Sequence, residues 1–541
     1  MYTATRMSEV NSTAVTSAPT GVRRFVFWLA LAVLLTAHAV LSLQMFGSKS
    51  QWRRLLSDDP VTSGRHALHL EQSLAEAGRG SFDPSCYAGY TRTALFDVNA
   101  EPAVAIQRLA GRRAGASAYK VGLLVVAWVV PWAAAAAAAL LRAGRLTVLA
   151  AAGLGILASW FGPAAEVFEV GEIWLPEFVA LVILGASLLW GWHRRCSALS
   201  LSGLIVVNLL GWMVQPAAWL AVFAAETGGW WMISRGHGWR WHLALGTGLL
   251  AALALSYPSW ADWPRDWWMR LRDRPTAPAL PVLEIAAAGL WVMIVPAALL
   301  VAGMARWLVA RPSAGFAVGS AAFLLTAGVL AGHPSPGALR TWWGPRPLSI
   351  GLPEPVGQLE AAIRTATLAD ARVLWEDLAG RPDLGWTALL PRRLGRPFVG
   401  GLDPDGVIEH AGCALRDGTL CGRPVARWSD AELDGYARRY NIGCVVCGTP
   451  ASSNRVGRWA AAAPVRIDAP GDWRVFVLHR PHSFILKGEA RQLELDGQRV
   501  TMADVVPEDG EVVLSLHYQD GWRVRPAGIR IERELDPYDS I

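Results

Sequence analysis

Several groupings of residues in this chain could carry chemistry. The stretch GSFDPSCYAGYTRTALFD, residues 80–97, sets two carboxylates, Asp83 and Asp97, among aromatic side chains. The run WADWPRDWWMRLRDR places Arg265, Arg270 and Arg272 on other faces from Trp260, Trp263, Trp267, Trp268 and Leu271. At helical spacing that is an amphipathic surface for the headgroup layer. It reads either as an anchoring aromatic belt or as arginines that grip a lipid phosphate. GGLDPDGVIEH gathers Asp403, Asp405, Glu409 and His410. Its start is calcium-loop-like, but the later ligand spacing is missing, so it reads as a solvated turn. Cys444 and Cys447 fall on an expected strand, where residues three apart face opposite sides, so no metal or redox pair is expected. Cys413 and Cys421 flank a turn and could close a disulfide in an oxidising compartment. No metal site is expected. The chain has no Walker-type loop, GxSxG or HExxH, which argues against ATPase, serine hydrolase and zincin chemistry.

The elements that must position these residues divide into two halves. The 541 residues are 53% hydrophobic and only 17% charged, where a soluble domain is nearer a quarter charged. The deficit lies between residues 24 and 332, where apolar runs recur at lengths that cross a hydrocarbon core of ~30 Å. Residues 333–541 have soluble composition. The net charge of +6 is almost entirely arginine, since lysine occurs only at Lys49, Lys120 and Lys487. With the many Ala and Gly, this fits a GC-rich bacterial genome. No nucleic-acid motif or basic face accompanies it.

The arginines instead set a topology. With Arg6, Arg23 and Arg24 inside, residues 1–24 form a cytoplasmic tail, and 25–46 form a retained anchor rather than a cleaved signal peptide. Residues 47–120 then form a large first external loop. Runs at 121–141, 147–161, 178–192, 201–214, 217–233, 243–257, 283–304 and 313–331 follow, about nine segments in all. The region 199–231 can be read as one bent span or, split at Pro216, as two. The two-segment reading puts Arg235, Arg240, Arg306 and Arg311 inside and the C-terminal half outside. A short pair broken at mid-membrane must pack against other protein.

The C-terminal half reads as an extracytoplasmic α/β domain, 333–465, followed by an antiparallel β-sandwich module, 466–541. Residues 356–365 read as a helix and ARVLWED as a strand. Ser429 to Glu432 is a capping box opening a helix, and NIGCVVCG follows as a buried strand. Beyond Trp473 the period is two, in RVFVLHR, ARQLELDG, EVVLSLHY, WRVRPAG and IRIERE, with Gly, Pro and Asp between the runs.

The first loop carries a resemblance. A helix at 66–77, then FDPSCYAGYTRTALFD, then a helix near 101–109 resembles the first external loop of polytopic GT-C glycosyltransferases. It is most similar to bacterial YfhO-like members, where a "DP…AGYP" stretch stands in this place. EVVLSLHYQDGWRV and RVLWED…WTALLP…GRPFVGGLDPD are similar to the C-terminal parts of such proteins. The resemblance covers most of the chain through loose motifs, and broken helix pairs in the family favour the split at Pro216. It implies a GT-C-like bundle in the bacterial cytoplasmic (inner) membrane. It also implies transfer of a sugar from a polyprenyl-phosphate donor to an envelope glycan acceptor. Such transfer needs a carboxylate for the acceptor hydroxyl and cations for the departing phosphate. The family's acid precedes the loop helix, where this chain has Gly64, Arg65 and His66. Asp58 and Asp59 lie just before, and Asp83 and Asp97 are the other loop candidates. Arg265, Arg270 and Arg272 are the lipid-phosphate candidates. The missing acid motivates a second expectation, a non-catalytic scaffold that binds lipid or glycan. A transporter ranks last, because the runs show no inverted repeat. The sequence further suggests that 80–97 lies back over the bundle.

Overall fold

Apolar runs become helices, and one of them, Gly115–Leu140, begins ahead of the apolar run at 121–141. The computed structural model describes residues 20–47, 51–74, 82–91, 102–110, 115–160, 162–171, 173–214, 219–220, 222–224, 226–227, 230, 237–257, 344–368, 370–379, 381–402, 411–466, 473–496, 499–518 and 522–538. Its first half contains α1 (Thr20–Leu43), α2 (Gln51–Leu56), α3 (His66–Leu74), α4 (Pro102–Ala110), α5 (Gly115–Leu140), α6 (Arg145–Ser159), α7 (Gly162–Val170), α8 (Trp174–Arg195), α9 (Ala198–Val214) and α10 (Trp239–Leu255).

Three helical stretches among the described residues are long and apolar enough to cross a membrane: Arg24–Phe46, Gly115–Leu140 and Trp174–Arg195. Arg145–Ser159 and Ala198–Val214 are apolar but shorter. The expected segments at 283–304 and 313–331, and the tryptophan-rich run with Arg265, Arg270 and Arg272, lie outside the described residues. Short turns make α5 and α6, and likewise α8 and α9, antiparallel neighbours. Small residues bring them close: a Cβ on Gly155 would stand 2.8 Å from the Cα of Pro131.

After Val214 the chain reverses. Trp219 Nε1 donates to Asn208 Oδ1 at 3.1 Å, and its ring occupies the space that Gly211 leaves, where a Cβ would come within 2.1 Å. Trp230 then reaches His242 at 3.0 Å, and His237 Nε2 donates to His193 O at 3.2 Å. The described residues between 219 and 237 thus lie against α9, the start of α10 and the end of α8, while Pro216 and much of the expected segment 217–233 lie outside the described residues.

The second half is a mixed sheet between helices. β3 (Arg372–Asp377) and β8 (Ile442–Cys447) pair in parallel and are buried throughout, as strands covered on both faces must be. β10 (Arg474–Leu478) and β9 (Ala462–Val465) extend one edge antiparallel. On the other edge β4 (Phe398–Val399) and β5 (Leu415–Arg416) follow each other along β3. β6 (Thr419–Leu420) and β7 (Arg423–Pro424) continue outward from β5. The period of two sorts the core. Val373, Trp375, Cys444, Val446 and Val475 face α11 (Pro355–Ala366). Leu374, Val445, Cys447 and Phe476 face α13 (Asp430–Arg439). α12 (Leu390–Leu394) and α14 (Pro450–Val456) complete the helices.

The expected boundary at 465 and the expected sandwich differ from this arrangement. β9 and β10 belong to the α/β sheet. β11 (Ile485–Lys487), β12 (Gln492–Asp496), β13 (Arg499–Ala503) and β14 (Val513–Leu514) form nested pairs, β11 with β14 and β12 with β13, bridged by Glu489 and Val506. That is one two-stranded arm rather than two facing sheets. Alternation identifies a strand, but a sandwich needs a second apolar layer. Ile529 and Ile531 of IRIERE, meant to supply it, are exposed.

Candidate functional site

Residues 82–91, the described part of the 80–97 stretch, show how the two halves meet. β1 (Phe82–Asp83) and β2 (Tyr90–Thr91) pair into a tight hairpin. Between them the backbone adds to the sheet edge: Phe398 N–H donates to Ser85 O at 2.7 Å, and Tyr87 N–H donates to Phe398 O at 2.8 Å. The fully buried Tyr87 joins the core that faces α13, and its hydroxyl donates to Asp377 Oδ2 at 3.3 Å. His517 N–H donates to Ala88 O at 2.9 Å. Residues 82–91 are thus an edge of the C-terminal sheet rather than a cover over the bundle, and the rest of the stretch lies outside the described residues. The turn needs left-handed backbone at Tyr87, Ala88 and Gly89.

Other contacts fix the same junction. Leu348 N–H donates to Met45 O, Thr62 N–H to Ser349 O and Gly344 N–H to Trp160 O. Arg346 pairs with Glu169 at 3.0 Å, and Arg392 with the buried Glu71 at 3.2 Å. The first loop, α7 and the C-terminal sheet therefore share one end of the helices.

The sequence-predicted residues separate here. Asp58 Oδ1 accepts the Ala116 N–H at 2.9 Å and holds the start of α5, which explains why that helix begins ahead of its apolar run. Asp83 is buried and its Oδ1 accepts the Ser85 N–H at 2.9 Å, the geometry of an Asx turn. Asp97 lies outside the described residues. Asp59 is exposed, and its backbone N–H donates to Ser57 Oγ at 3.3 Å. Asp58 and Asp59 are the carboxylates that face Lys120. Lys120 is fully buried, and its ammonium donates to Ser57 O at 2.7 Å and to Arg54 O. Arg53 and Arg54 are exposed on α2, immediately before.

Gly64, Arg65 and His66, where the resemblance places the family's acid, form a packed joint. Gly64 has φ +49°, and a Cβ there would meet Val170 O at 2.1 Å. Arg65 N–H donates to Val170 O at 2.7 Å. His66 is buried between Tyr119 OH, 2.9 Å from Nδ1, and Phe168 O, 2.5 Å from Nε2. The carbonyl can only accept, so Nε2 carries the hydrogen and Nδ1 accepts from Tyr119. Burial pushes this imidazole down to about 3, so it stays neutral.

Two further carboxylates escaped sequence reasoning as organising groups. Glu376 is fully buried. It accepts from Gly418 N, Gly448 N, Thr449 N, Thr449 Oγ1 and Ser452 Oγ, all within 2.7–2.9 Å. Asp377 accepts from Gly401 N at 2.7 Å. The signal was present in the acidic end of RVLWED, but its donors are far off in sequence. Cys444 and Cys447 face opposite cores as expected, and burial pushes the Cys444 thiol up to about 12 and that of Cys447 upward too. Cys413 and Cys421 are not joined as a disulfide, and Cys421 Sγ lies 3.8 Å from Cys413 O. Among the described residues no cluster of three or more His, Cys, Asp or Glu could hold a metal. The acidic loop with Asp403, Asp405, Glu409 and His410 lies outside the described residues.

The candidate chemistry thus centres on Asp59, an exposed carboxylate whose neighbour Asp58 holds the start of α5, with two guanidinium groups on the preceding helix. Compared with known proteins, the chain matches no protein-family model and no curated protein.

Proposed function

We propose that this chain is a multi-pass membrane protein of GT-C type that transfers a sugar from a polyprenyl-phosphate donor to an envelope acceptor. The observation that carries the reading is Asp59, an accessible carboxylate beside buried Lys120 and behind Arg53 and Arg54, at the end of the helices where the C-terminal sheet docks. Asp59 takes the proton of the acceptor hydroxyl, and Arg53 and Arg54 steady the departing phosphate, together with Arg265, Arg270 or Arg272. Asp58 and Asp83 serve structure instead.

The nine-segment topology is part of the proposal. It is supported by the reversal after Val214 and by the return of the chain at Gly344 to the end that holds Trp160. The N-terminus is then cytoplasmic, and the loop and the C-terminal region are extracytoplasmic, in a bacterial inner membrane. A second reading, a non-catalytic scaffold that binds lipid or glycan, is favoured by the packed joint at Gly64–His66. Purified protein in liposomes with a radiolabelled polyprenyl-phosphate sugar decides between them. The first reading predicts label on the acceptor with wild type and at least a hundredfold less with Asp59→Asn. Label bound but never transferred leaves the scaffold reading.

A further inference from the structure

We propose that the opposite end of the bundle binds the phosphate of an anionic phospholipid headgroup, between the end of α8 and the start of α10. The inference rests on the membrane reading above but concerns a different surface. The segments that turn at this end are 140–147, 193–200 and 237–242. They contain Arg142, Arg145, Arg194, Arg195 and Arg240, all exposed, and no acidic residue. The other end carries Asp58, Asp59, Glu71, Glu166 and Glu169. Uncompensated arginines at one end of a bundle attract the anionic lipid surface.

The arginines beside α8 and α10 are also held in place. His237 Nε2 donates to His193 O at 3.2 Å, and the two rings lie 4.9 Å apart. Trp192 and Trp241 stack at 6.2 Å just inside this clamp. On one side of it the Arg194 guanidinium sits 4.9 Å over the Trp190 ring. On the other, Arg240 sits 5.7 Å over the Trp239 ring. Trp190 and Trp239 are themselves exposed, as interfacial tryptophans are. A guanidinium stacked on an aromatic face keeps its N–H edge free for bidentate contact with phosphate. Gly238 opens α10 without a side-chain cap, so the first N–H groups of that helix add a favourable partial charge. The shared chemistry is a phosphate group. The flanking exposed tryptophans favour a lipid source over a free ion.

The test uses the full chain in nanodiscs of phosphatidylcholine, with and without phosphatidylglycerol, read by retained lipid in native mass spectrometry and by thermal midpoint. The expected result is preferential retention of phosphatidylglycerol and a raised midpoint. Arg194→Gln with Arg240→Gln should weaken that retention by about 30-fold, from roughly one surface charge contribution each. Arg142→Gln with Arg145→Gln should leave most of it intact. Equal losses from both pairs would mean diffuse attraction and overturn the site. Inorganic phosphate that reproduces the shift in phosphatidylcholine discs would overturn the lipid assignment. Release of the chain from membranes by alkaline wash would instead sink the membrane reading on which the proposal stands.

Discussion

The two ends of the helical bundle are built on opposite plans. One end is crowded: the first loop, α7 and the C-terminal sheet interlock through backbone hydrogen bonds, and acids and bases meet there in pairs such as Arg392 with Glu71. The other end is basic among the described residues, with exposed Arg142, Arg145, Arg194, Arg195 and Arg240. The difference teaches what each carboxylate is for. At the crowded end nearly every acid has a structural task. Glu376 gathers five donors, Asp58 starts α5 and Asp83 closes a turn. An acid without such a task, Asp59, then stands out.

The comparison breaks most visibly if the crowded end is unlocked. Tyr87→Ala removes a fully buried ring from the joint between loop and sheet and should cost about 3–5 kcal/mol, read from unfolding in detergent. A change below about 1 kcal/mol would mean that the loop does not carry the docking. A pH scan comes next. The buried His66 refuses a proton that the unfolded chain accepts, because its folded value of about 3 lies below the ordinary 6.5. Stability from this joint is therefore full above about pH 6.5 and is lost as pH falls toward 3. His66→Asn should flatten that acid limb, and an unchanged slope would mean that other groups control it. The smallest effect sharpens the contrast between neighbours. Asp58→Ala removes the acceptor for the α5 start and should cost about 1 kcal/mol. Asp59→Ala should cost less, since its carboxylate holds no element.

How much of this could be read from the sequence depended on distance along the chain. The capping box at Ser429 and Glu432 is a local signal, and both halves of it form. The strands ending in Asp377 and Cys447, the opposite facing of Cys444 and Cys447, and the helix at Pro355–Ala366 were legible from period and punctuation. The partners were not. Tyr87 and Asp377 meet across 290 positions, and Asp58 reaches Ala116 across 58. Nothing in FDPSCYAGY distinguishes a sheet edge from a lid over a bundle. The same limit misassigned the final strands, because alternation in ARQLELDG fixes a face but not the partner that covers it.

The central claim is that the two ends of the bundle lie on opposite sides of a membrane, and maleimide labelling tests it most directly. Native Cys196 is an exposed thiol at the basic end. Asn454 is exposed on the C-terminal α14. In a background with Cys421→Ser, an Asn454→Cys variant presents one accessible thiol at each end. An impermeant maleimide added to intact spheroplasts should modify position 454 and spare Cys196, and both should react once the membrane is opened with detergent. Modification of Cys196 with protection of position 454 would invert the topology, and modification of both before detergent would contradict the separation of the two ends altogether.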